Sequence, residues 1–159
     1  MGTLETQFAD LIGSQLTAVW GEVHVEKGKP FDDSPLSLWL EFDGKKLKGF
    51  KGTPNGEGVT VVDEPPRPHD MGEAGEMIVR DLTLKSPFAR AVGSSLRAVW
   101  ELRTPESTSP IGFRFAFGGL IRPMILNWGD EIQVRMVLPP DAGVEVREFL
   151  FAGSDSTPK

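Results

Sequence analysis

His24 and His69 are the only histidines in the chain, and each has a carboxylate close by: Glu26 follows His24 by two positions and Asp70 follows His69 directly. An imidazole beside a carboxylate is the beginning of a general base. The partners that would turn it into a reaction centre are not evident. No serine stands in a G-x-S-x-G elbow. The chain has no cysteine, which removes thiolate nucleophiles and disulfides. GSQLTAVWG and GTPNGEG lack the Gly-Lys-Ser/Thr ending of a phosphate loop, and the second reads as a turn. With 23 acidic residues, two-carboxylate acid–base pairs can be drawn in many ways, so none is specific. The chain is therefore read as non-catalytic, with a small hydrolase using His69 as an alternative.

Acidic residues gather in two connections. The stretch 63–76 carries five carboxylates, Asp63, Glu64, Asp70, Glu73 and Glu76, with one Arg and one His. The stretch 26–35, EKGKPFDDSP, places Asp32 and Asp33 beside Phe31. An Asp pair can ligate a hard cation, but the regular oxygen spacing of a calcium loop is absent, so neither metal nor cofactor is expected. A third feature is Trp39, between Leu38 and Leu40 and thus on the opposite strand face. It is either covered by another part of the chain or exposed as the kind of aromatic anchor that dominates binding interfaces. Asp32, Asp33, Trp39, Asp63, Glu64, Asp70, Glu73 and Glu76 form the candidate partner-binding set.

The elements that must carry these residues are announced by a repeated phrase. FADLIGSQLTAVW at 8–20 and FARAVGSSLRAVW at 88–100 share eight of thirteen positions at an offset of 80. Each begins with apolar residues at helical spacing and stops at a glycine, Gly13 or Gly93. Ser86 and Pro87 supply a cap and first-turn pair for the second. Each phrase ends inside a strand, LTAVWGEVHV at 16–25 or LRAVWELR at 96–103, and its final Trp20 or Trp100 is read as a core residue. Leu38, Leu40 and Phe42 alternate in SLWLEFDG, and Phe113, Phe115 and Phe117 do so in GFRFAFGG, the signature of a strand with one buried face. Asp43-Gly44 and Gly118-Gly119 suit tight hairpin turns. Further strands are predicted near 45–52, 59–62 and 77–82, and near 121–128, 132–138 and 144–150.

The expected fold is α+β and mostly β. A helix-plus-five-strand unit is written twice, with pseudo-twofold symmetry and a shared core. The first repeat spans 1–84 and the second 85–159, within one compact domain. The charge is uneven. The first repeat has 8 basic and 15 acidic residues, the second 9 and 8, for a net of −6. Phosphate contacts need clustered Lys and Arg, so nucleic acid is not an expected partner. No apolar run reaches the ~18 residues of a membrane span. The N-terminal MGTLETQFAD shows neither a basic n-region nor an apolar core. A cytoplasmic protein is expected.

LSLWLEFDGKKL and IGFRFAFGGLI share an alternating pattern that closes on a glycine turn. With the acidic context, this resembles the small β-rich immunity-type proteins that bacteria encode beside polymorphic or contact-dependent toxins. The resemblance implies a non-catalytic binder that occludes a toxin. Its acidic first repeat would meet a partner with a basic surface, with electrostatically steered association. The alternative is a small-molecule binding domain with a pocket between the repeats.

Overall fold

Period-two alternation builds nearly all of the computed structural model, which describes residues 8–32, 35–54, 58–70, 75–105, 109–118, 121–128, 131–137 and 147–153. The strands are β1 (Leu16–Glu26), β2 (Lys29–Pro30), β3 (Ser37–Phe42), β4 (Lys46–Gly52), β5 (Val59–Val62), β6 (His69–Asp70), β7 (Glu76–Asp81), β8 (Ala98–Arg103), β9 (Gly112–Ala116), β10 (Met124–Trp128), β11 (Glu131–Arg135) and β12 (Arg147–Gly153). They form two antiparallel sheets. One has the order β5-β4-β3-β1-β7-β6, with β2 paired to β1; the other has the order β11-β10-β9-β8-β12. The β3–β4 hairpin turns at Asp43 and Gly44, both at positive φ (55° and 70°), as the Asp-Gly pair requires.

The expected α+β fold is corrected to a mostly β one, and no repeated helix-plus-five-strand unit is seen among the described residues. Of the first expected helix, residues 4–7 lie outside the described residues. Phe8 and Ala9 are helical, and 10–13 are turn. The second is a 3-10 helix, Pro87–Ala91, whose Phe88 N–H is capped by Ser86 Oγ at 3.1 Å. Helices this short are marginal in water, so tertiary contacts decide their form. Here the contacts favour a junction. Gly13 N–H donates to Leu96 O and Leu96 N–H to Ser14 O (2.7 and 2.9 Å). Gly93 N–H donates to Leu16 O and Leu16 N–H to Ser94 O (2.8 and 3.1 Å). A bridge pairs Gln15 with Ser95. These contacts between the two copies of the phrase tie the two sheets to each other.

The main cluster of buried residues takes Leu38, Leu40, Phe42 and Phe50 from one sheet and Val99, Phe113, Phe115 and Ile125 from the other. Phe8 and Phe88, from the junction segments, insert between them. Trp20 and Trp100 are not core residues. Val19 and Val23 point inward from β1, so Trp20 and Glu22 point outward, where Trp20 pairs with Trp39 and Asp81 across the neighbouring strands. Both Trp20 and Trp100 are half-buried. Among the described residues, no helix is long and apolar enough to cross a membrane.

Candidate functional site

The pairing of β1 with β7 sets Arg80 opposite Gly21. After the β1–β2 hairpin, the chain runs back along β1. Phe31 N–H donates to His24 O at 2.9 Å and Leu36 N–H to Glu22 O at 2.8 Å. Asp32 is thereby brought beside Arg80, 48 residues away in sequence. Arg80 Nε donates to Asp32 Oδ1 at 3.1 Å and Nη2 to Oδ2 at 2.9 Å, a two-pronged guanidinium–carboxylate pair. Lys85 Nζ adds a third hydrogen bond, to Oδ2, at 2.5 Å. The Arg80 bond, followed by that from Lys85, lowers the Asp32 carboxyl from its usual 3.8 to about 2 against an opposing push from desolvation. Asp32 is the enclosed member of the trio, with 11% of its side chain exposed, against 38% for Arg80 and 55% for Lys85.

Asp32 and Lys85 border a cleft of about 160 Å³ at the margin of the space between the sheets. Leu38 of β3 and Leu82 form its buried base. Pro35, Pro87 and Val134 of β11 add apolar walls, and Ser86 adds a polar one. The cleft therefore has one wall from each sheet and ionic groups at its opening. Four of the six exposed large hydrophobics among the described residues lie within two positions of a lining residue: Phe31, Leu36, Leu84 and Met136.

The other candidate residues are distributed differently. Trp39 is fully buried, so it is not an exposed anchor. Its indole lies over Gly49, where a Cβ would also meet Val62 Cγ2 at 2.7 Å. Its Nε1 donates to Glu64 O at 2.7 Å, and Lys51 Nζ sits 5.4 Å from the ring centroid. The cover comes from the chain after β5. Arg67 N–H donates to the buried Glu22 Oε2 at 3.1 Å, drawing the 64–67 segment over the outer face. Asp63 is exposed but bonded to Lys48 Nζ at 2.5 Å. Glu64 and Glu76 are exposed. The backbone of Asp70 pairs with Glu76 between β6 and β7, so this part of the 65–76 connection extends the sheet. Asp33 and Glu73 lie outside the described residues, as do the side chains of His69 and Asp70. His24 stacks on Phe31 with 5.8 Å between ring centres and does not line the cleft. Among the described residues, no three His, Asp or Glu side chains cluster to hold a metal ion.

Reading the sequence singled out Asp32 but missed Arg80, Lys85, Leu82 and Val134. The one local signal was Leu84-Lys85, an apolar residue beside a cation just past the end of a predicted strand. No protein-family model matches the chain. No curated protein and no solved structure matches it either, and the cleft stands as a site known by its geometry alone.

Proposed function

We propose that the chain is a non-catalytic protein-binding module that seats a side chain of its partner in the cleft between the sheets. The observation that carries this reading is the apolar rim. Leu36, Leu84 and Met136 are water-exposed hydrophobics within two chain positions of a cleft-lining residue. Exposed apolar surface concentrated around a recess marks an interaction site. The volume supports a side-chain anchor over a free ligand. A cleft of about 160 Å³ is smaller than the roughly 300–1,000 Å³ of pockets that enclose drug-sized molecules or cofactors. Toxin neutralisation in the cytoplasm is the specific form of this proposal, in line with the immunity-type pattern of β3 and β9. Glu76, at the start of β7, and Glu64, just past β5, are exposed and suit the steering of a basic partner surface.

The test begins with the partner that co-purifies with the full chain from its native host. Binding kinetics then compare Leu36→Ser and Leu84→Ser with Glu64→Gln and Glu76→Gln. The rim variants should raise the dissociation rate by about tenfold, with little salt dependence. The carboxylate variants should slow association, and this loss should fade at high salt. Parent-like kinetics for both rim variants would remove the cleft from the interface.

A further inference from the structure

The charges at the cleft narrow what can enter it. Asp32 uses both oxygens on Arg80, one prong each, so the guanidinium alone neutralises the carboxylate. Lys85 is then a surplus cation. Its one hydrogen bond among the described residues goes to an oxygen that Arg80 already holds, and just over half of its side chain faces water. The trio thus carries one net positive charge at the opening of an apolar recess, on a chain whose total is −6. A cation entering here would meet Lys85 and find the carboxylate occupied. An anion would meet an ammonium with two N–H donors that have no partner among the described residues.

The recess sets the second requirement. Leu38, Leu82, Pro35, Pro87 and Val134 offer no charge to an entering group. A cavity of about 150 Å³ with apolar walls is large enough for a benzene-sized molecule, so about 160 Å³ takes one aliphatic or aromatic side chain. We propose that the cleft recognises an acidic–apolar segment of a partner protein, with an aliphatic side chain between Leu38, Leu82 and Val134 and an adjacent Asp or Glu carboxylate on Lys85. The proposal rests on the protein-binding reading above and adds to it the chemistry of the one segment that enters the cleft, apart from the basic surface that Glu64 and Glu76 would steer.

The test is a titration of the isotope-labelled full chain with the peptide Ac-Glu-Leu-Glu-NH2, followed through the backbone amide signals of Leu38, Leu82 and Val134. Ac-Gln-Leu-Gln-NH2 removes the charge and Ac-Glu-Ala-Glu-NH2 removes the aliphatic group. The first comparator should bind about fivefold more weakly, the scale of one exposed ion pair. The second should bind roughly tenfold more weakly, the scale of a lost buried aliphatic side chain. Lys85→Gln should abolish the preference for Glu over Gln, and Lys85→Arg should keep it; both leave the Arg80–Asp32 pair in place. Equal binding of the Glu and Gln peptides to the parent would overturn the proposal. So would a preference that survives Lys85→Gln, or a titration in which no peptide moves those three signals. None of these results touches the dependence of the natural partner on Leu36 and Leu84, so the two readings fail separately.

Discussion

The centre and the margin of the space between the sheets are lined by the same kinds of residue and finished in opposite ways. At the centre Phe8 lies 6.1 Å from Phe50, 5.4 Å from Phe113 and 6.2 Å from Phe115. Phe88 lies 5.7 Å from Phe115 and 6.3 Å from Phe117. At the margin Leu38 and Leu82 are as buried as those rings, but Val134 is half-buried and a cleft remains. The difference lies in the connections. The segments carrying Phe8 and Phe88 are drawn inward by the reciprocal hydrogen bonds of the junction, and each delivers a ring. The connections that carry Asp32 and Lys85 deliver prolines and two members of the ion trio instead, with Arg80 added from β7. Arg80 and Lys85, both bonded to Asp32, hold these two connections together across the opening. Packing is completed where the sheets are tied, and the recess is left where ionic contacts hold the chain.

The comparison predicts a steep gradient of mutational cost. Phe8→Ala removes a ring packed on Phe50, Phe113 and Phe115 and should cost about 3–5 kcal/mol in urea unfolding. A loss below about 1 kcal/mol would show that the centre is not closed by this ring. Two glycines sharpen the contrast. A Cβ on Gly112 would run into Ile125 O and come within 2.7 Å of Leu126 Cα, backbone that cannot yield. Gly112→Ala should cost about 3 kcal/mol. A Cβ on Gly21 would press on Leu82 Cδ1 and lie 3.4 Å from Pro35 Cβ. Leu82 borders open space, so its side chain can swing into the cleft, and Gly21→Ala should cost roughly 1 kcal/mol. Equal costs at the two glycines would mean that the margin is packed as rigidly as the centre.

Much of this architecture was legible because period-two alternation is a local signal. Leu38, Leu40 and Phe42 form the inward face of β3, Phe113, Phe115 and Phe117 lie in the core on and just past β9, and Asp43-Gly44 forms a tight turn. The helices were misread because Phe8, Leu11 and Ile12 have helical spacing over too few residues to sustain a helix. Trp20 was misread by one step of phase. It ends an apolar phrase, but Val19 and Val23 take the inward face and leave it outside. Trp39 was ambiguous because its cover comes from a backbone carbonyl 25 residues later, Glu64 O, which no residue pattern announces. The cleft was the least legible feature. Its ion trio joins Asp32 to residues 48 and 53 positions away through strand pairing, and its far wall belongs to the other sheet.

The margin should also respond to pH. The folded-state carboxyl of Asp32 lies at about 2, below the ordinary 3.8. A lowered carboxyl contributes stability that is present above the ordinary value and is lost as pH falls through the folded one. Arg80 and Lys85 are well solvated, which reduces the contribution to about 1 kcal/mol at neutral pH. Asp32→Asn should therefore be less stable than the parent by about that amount at pH 7. The gap should narrow between about pH 4 and pH 2 and be closed below that. A gap that persists unchanged at pH 2 would assign the loss to packing around the side chain instead of its charge. Phe8→Ala, which alters no ionisable group, should show no such narrowing over the same range.

The smallest effect on stability is expected at Leu84, and it bears most directly on function. Leu84 is 90% exposed, immediately before Lys85 at the opening of the cleft. Its side chain contributes little to the folded state, so Leu84→Ser should leave the unfolding free energy within about 0.5 kcal/mol of the parent. Val92, at 40% exposure, supplies the control, because no cleft-lining residue lies within two positions of it. If exposed apolar surface matters only through general stickiness, Val92→Ser and Leu84→Ser should weaken partner binding alike. If the margin of the sheets is the anchor, Leu84→Ser alone should shorten the lifetime of the complex, by about tenfold. A Leu84→Ser chain that keeps both its stability and its partner would leave the cleft as an incompletely filled edge of the core.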